Sequence, residues 1–117
     1  LGGNPLAKLE VNGLIKQEAL QFIGMISTME HLYCVKFRAC NLNDQDAKVL
    51  MAALHKCIHL SSLELPFNQI TDLTQIRQLQ YPIQLEFLGM ENNDIEDVVA
   101  QKIVEWGFNF FSHHSWR

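Results

Sequence analysis

Cationic charge is scarce in this 117-residue chain. Nine lysines and arginines stand against thirteen aspartates and glutamates, for a formal net charge of −4. A nucleic-acid footprint needs a basic stripe, so that class of partner is excluded. No apolar run approaches the ~18 residues of a membrane span, and no basic segment leads into a short apolar one as in a signal peptide. Direct membrane insertion is therefore not expected. Glycine-rich phosphate loops are missing; NPL, NGL and NND read as turns only. Cysteine is limited to Cys34, Cys40 and Cys57, an odd number without CxxC spacing. That fits neither a disulfide framework nor a zinc site, and reads as buried thiols in a reducing compartment. Five histidines are scattered or, as with His113 and His114, adjacent and pointing apart on a strand. No metal site and no cofactor are expected. Cys34 and His31 lie close in sequence, but no acid or oxyanion motif accompanies them, so catalysis is not expected either.

What is present is a 48% hydrophobic composition, enough for one small domain with one core, and a repeat. The stretch HLSSLELPFNQIT carries Leu60, Leu63, Leu65, Asn68 and Ile70 in the frame LxxLxLxxN/CxL. Leu32, Val35, Phe37, Cys40 and Leu42 fit the same frame, as do Leu85, Leu88, Met90, Asn93 and Ile95. A degraded copy has Leu6, Leu9 and Val11, with Leu14 in the Asn/Cys slot and Lys16 where an apolar residue belongs. Internal repetition at this period points to stacked units that share one core. The units run near 6–31, 32–59, 60–84 and 85–112, followed by an aromatic tail over 106–117.

The spacing has a physical reading. Positions four and six of the frame lie on one face of a short strand, since side chains alternate with period two, and they point into the core. The asparagine, or Cys40, sits where the chain leaves the strand and satisfies backbone groups that water cannot reach. A helical segment follows each corner. Asn43 or Asp44 caps the first, with Ala47, Leu50, Leu54 and Cys57 inward and Val49 and Ala53 at the margins. Thr71 or Asp72 starts the second, Leu73, Ile76 and Leu79 or Gln80 continue it, and Tyr81-Pro82 ends it. The third starts near Glu96, with Val99, Ile103 and Val104 inward and Gly107 as its stop. One more, residues 17 to about 29, precedes the first good repeat, with Leu20, Ile23 and Ser27 on its inner face.

On these residues the chain resembles the leucine-rich-repeat family. The segment CNLNDQDAKVLMAALHKC, residues 40–57, is similar to the ribonuclease-inhibitor-like subtype. The resemblance implies an α/β solenoid: a short right-handed βα horseshoe of about four repeats, with a parallel concave sheet and helices on the convex side. It also implies a non-enzymatic protein-interaction module, a subunit or adaptor in a larger intracellular assembly. Two alternatives remain in view: a Ran-GTPase-activator-like regulator, and a sensor fragment of a NOD-like receptor. The setting is expected to be cytoplasmic, or that of an organellar subunit whose targeting peptide has been removed.

The outward strand positions are the candidate partner surface. Glu10, Lys36 and Glu64 form a row of alternating charge that can neutralise itself. Read as a partner surface, Lys36, Arg38, Glu64 and Glu91 supply charge, and Phe67 and Phe87 supply apolar anchors. Pro66 is expected to weaken the sheet locally, because it cannot donate to a ladder. The second candidate is the end of the chain, where Trp106, Phe108, Phe110, Phe111 and Trp116 gather. Read as a cap, they cover the last repeat; read as a docking patch, they meet another chain. In a third reading the chain continues and residues 108–111 open another element.

Overall fold

Alternation decides the strands. In AKLEVN Leu9 and Val11, and in LYCVKFR Val35 and Phe37, turn toward one core at every second place, and these stretches form β1 (Ala7–Asn12) and β2 (Leu32–Arg38). The computed structural model describes residues 7–80, 83 and 85–111. Leu6, Tyr81, Pro82, His113, His114 and Trp116 lie outside the described residues, and for Phe111 only the backbone is described. The remaining strands are β3 (Ser62–Glu64), β4 (Phe87–Gly89) and the two-residue β5 (Phe110–Phe111). All are parallel, in the sequential order β1-β2-β3-β4-β5.

Between the strands lie α1 (Lys16–Met25), α2 (Asp44–Leu54) and α3 (Asp97–Glu105), with a 3₁₀ stretch over Thr74–Gln80 between β3 and β4. The fold is α/β, and the described residues share one core. Val35, Phe37, Leu63, Leu65, Leu88 and Met90, the fourth and sixth places of the frame, are all buried in it. Buried apolar area stabilises at roughly 25 cal/mol per Å², which makes this shared layer the main favourable term in the fold.

The helical segments follow the expected stripes with four differences. Ser27 is exposed and Ile26 is the buried residue, because the chain tightens into a 3₁₀ turn at Ile26–Thr28 and shifts the phase. Met51 joins Ala47, Leu50 and Leu54 on the inner face of α2. In α3, Ile103 is buried and Val99 half-buried, four residues apart on one face, whereas Val104 lies a further ~100° round the helix and is exposed. The segment after β3 is 3₁₀ rather than α.

Lys16, the odd residue in the first copy of the frame, has a structural reason. Its Nζ lies 3.1 Å from Asp46 Oδ2. That carboxylate belongs to the capping box of α2, in which Asp46 accepts from the Asn43 N–H and Asn43 Oδ1 accepts from the Asp46 N–H. An apolar residue at position 16 would leave this acid without its cation. Asp44, the other expected cap, bonds instead to the next corner, accepting from the Thr71 and Asp72 N–H groups and the Thr71 hydroxyl.

Candidate functional site

The sheet face opposite the core carries the expected surface. Register sets Lys8, Cys34, Ser62 and Phe87 in one row and Glu10, Lys36, Glu64 and Gly89 in the next. Lys36 Nζ lies 3.9 Å from Glu64 Oε1. Glu10 pairs with Lys8 of its own strand at 3.2 Å rather than with Lys36. Their hydrogen bond, followed by simple charge attraction, holds the Glu10 carboxyl below its ordinary pKa and the Lys8 ammonium above its own. Both side chains are open to solvent, so their pairing adds little to stability. Cys34, although in an outward row, is buried.

Arg38 and Phe67 meet across the β2–β3 boundary. The guanidinium carbon stands 4.6 Å from the centre of the Phe67 ring, a cation–π distance. Phe67 is 46% exposed and has φ +61, a left-handed conformation that costs a bulky residue roughly 1–2 kcal/mol. Gly89 completes the patch. A methyl group there would stand 3.0 Å from Glu91 Oε1, 3.2 Å from the Phe87 ring and 3.4 Å from Glu64 Cγ. The bare backbone lets the Glu91 carboxylate fold down beside Phe87. Among the described residues nothing donates to that buried Glu91 oxygen. The six residues expected on this surface, Lys36, Arg38, Glu64, Phe67, Phe87 and Glu91, therefore lie on one face across neighbouring strands.

Beneath the patch are the corners. Asn68 Oδ1 accepts from the Cys40 and Leu42 N–H groups at 3.0 Å each, and Nδ2 donates to the Phe37, Leu65 and Pro66 carbonyls. Asn93 repeats the arrangement one unit later. It accepts from the Ile70 N–H and donates to the Leu65, Met90 and Glu91 carbonyls. Cys40 reaches the matching carbonyl of the unit before, Val11, over 3.9 Å, and the Arg38 carbonyl over 3.4 Å.

The ladder continues past the strand ends. The N–H groups of Gly13, Ala39 and Phe67 donate to the carbonyls of Arg38, Pro66 and Glu91, one unit further along. Pro66 thus stays in the ladder through its carbonyl. Position eight of the frame, Gly13, Ala39, Phe67 and Asn92, is left-handed throughout, with φ between +57 and +68. Gly13 and Asn92, two residue types that favour this conformation, were the signal available in the sequence.

The C-terminal residues divide. Phe108 is a core residue, 6% exposed, and is not available to a partner. Trp106 is half-buried, with the Arg77 guanidinium 5.3 Å from its ring centre, and Phe110 packs half-buried against the core. The backbone of Phe110 and Phe111 extends the sheet beside Leu88 and Gly89.

Cys34, Cys40 and Cys57 are free and buried, and burial followed by the charge of Glu30 raises the Cys57 thiol above its ordinary pKa, which lowers its reactivity. His31 and His59 stack at 6.3 Å. Among the described residues no group of three or more His, Cys, Asp and Glu side chains gathers as metal ligands, and no helix is long and apolar enough to cross a membrane. No protein-family model matches the chain, and no curated protein matches it.

Proposed function

We infer that this chain is a protein-interaction module without catalytic activity of its own, built as a short leucine-rich-repeat solenoid of about four repeats. Its sheet face serves as the concave binding surface. The reading places it as a subunit or adaptor in a larger intracellular assembly, taking protein partners and no cofactor.

One observation carries the reading. Phe67 is an aromatic side chain kept exposed, in a strained backbone conformation, under Arg38 and in the turn where the chain leaves β3. A residue chosen for stability alone at that corner would be glycine or asparagine. Aromatic and arginine side chains are the usual carriers of binding energy at protein interfaces.

The test is capture from the cells that express the chain, with wild type compared against an Arg38→Glu, Phe67→Ser double variant and read by quantitative mass spectrometry. Stoichiometric partners held by wild type and lost by the variant are expected. Partners retained equally by the variant would sink the assignment of this face. A wild-type chain that captures nothing would sink the module itself.

A further inference from the structure

We propose that the outer edge of β1 pairs antiparallel with β1 of a second copy, about a twofold axis through Leu9, to join two sheets into one. The bonds use the backbone edge of β1, while the Lys8 and Glu10 side chains stand in the outward rows of the open face, on the strand furthest from Phe67 and Phe87 among β1 to β4.

Strand β1 is terminal in the sheet, and among the described residues no strand pairs its outer side. Its bonding phase is set by the ladder to β2. The Ala7 and Gly13 N–H groups donate to His31 and Arg38 carbonyls. By the period of two, Lys8, Glu10 and Asn12 turn their N–H and C=O groups outward. A six-residue edge without proline is a template for another strand, and charged side chains usually protect such an edge. Here the charges are of opposite sign and two residues apart.

That spacing selects a register. Antiparallel partners must share a face, so the numbers of facing residues sum to an even value. With the sum at 18, Lys8 faces Glu10 of the second copy and Glu10 faces its Lys8, each as a pair that exchanges two backbone hydrogen bonds. Leu9 then faces Leu9 on the core side. Shifting by one step to a sum of 20 sets Glu10 against Glu10, a repulsive contact. The intrachain Lys8–Glu10 pair at 3.2 Å already places both charged ends on the same side of the strand. Next to the edge, Leu9, Val11, Leu14 and Phe22 line a recess, with Phe22 exposed at its rim. Around a twofold axis this recess meets its own copy, which adds apolar burial to the backbone bonds.

The test is sedimentation equilibrium of the whole chain over a wide concentration range. The wild type is expected to dimerise. Either single reversal, Lys8→Glu or Glu10→Lys, replaces two attractive cross-strand pairs by two repulsive ones and weakens the dimer by about tenfold or more. The double reversal restores it. An equimolar mixture of the two single variants forms a heterodimer, because each supplies the charges the other lacks. Both positions are exposed, and unchanged circular dichroism checks the fold of each variant. A wild type that stays monomeric throughout overturns the proposal, as does a dimer indifferent to the single reversals. Neither result bears on the open face, whose own variant is Arg38→Glu with Phe67→Ser.

Discussion

The corner after β3 and the corner after β2 do the same job with different chemistry. Asn68 has both a carbonyl and an amide. It therefore accepts from two backbone N–H groups and donates to three carbonyls, joining its own turn to the unit before it. Cys40 has only a weak donor. Its sulfur makes long contacts to Val11 and Arg38, and its own N–H is satisfied by Asn68 from the next unit. One asparagine thus serves two corners. The polar locks therefore lie toward the C-terminal half, and the cysteine corner depends on its neighbour. The first copy extends the trend, with Leu14 in the slot and only half-buried.

The corners are most sensitive at Asn68. Asn68→Ala strands the Cys40 and Leu42 N–H groups and the Phe37 carbonyl in a buried corner, and is expected to cost about 2–3 kcal/mol. Gln69→Ala, at an exposed neighbour, is expected to change stability by less than about 0.5 kcal/mol. Urea denaturation midpoints for the two variants check this, and equal midpoints would remove the corner role. Cys40→Ala comes next, at about 1 kcal/mol, because it removes weak sulfur contacts and little volume while Asn68 still holds the position-40 N–H. A Cys40 variant as damaging as the Asn68 variant would show the two corners to be equivalent after all.

Phe67→Gly sharpens the contrast between stability and binding at the same corner. Glycine relieves the left-handed backbone and removes the stack with Arg38, two effects of opposite sign and each about 1 kcal/mol. Thermal unfolding is expected to move little, while capture of partners falls. A large loss of stability with binding retained would make Phe67 a structural residue.

The smallest effect is that of pH on Asp44. Burial acts to raise this carboxyl, and the Thr71 hydroxyl with the Thr71 and Asp72 N–H groups outweighs it, so its pKa lies below the ordinary 3.8. Its contribution is present above that ordinary value and is lost as pH falls through the lower folded value. Asp44→Asn is expected to flatten the acid limb of the stability curve by removing, at neutral pH, the small contribution that the wild type loses only in acid. Urea midpoints at acid and neutral pH read it directly, and an unchanged acid limb would remove the link to Thr71.

The two repeat lengths show what spacing can reveal. From Leu32 to Leu60 the frame returns after 28 residues, and from Leu60 to Leu85 after 25. The longer unit has room for the eleven-residue α2, and the shorter one uses the seven-residue 3₁₀ stretch. A 3₁₀ helix rises ~2.0 Å per residue against ~1.5 Å, so seven residues cover nearly the distance of eleven in α form. The shortening was in view in the sequence, but its conversion to 3₁₀ was not, because periodicity marks Leu73, Ile76 and Leu79 as inward under either winding.

By itself, the sequence determined the period, the inward strand residues, the asparagine corners and the outward rows, since these depend on local alternation and on which side chains water tolerates. Tertiary structure decided the rest. Glu10 takes Lys8 rather than Lys36, Asp44 reaches Thr71 rather than capping its own helix, and Lys16 finds Asp46. It also put Phe108 in the core and Phe67 in a left-handed turn. Apart from the Lys8–Glu10 pair, which lies within one strand, these turn on which groups a neighbouring unit brings within a few ångströms, and that follows from the register between strands and not from spacing along the chain.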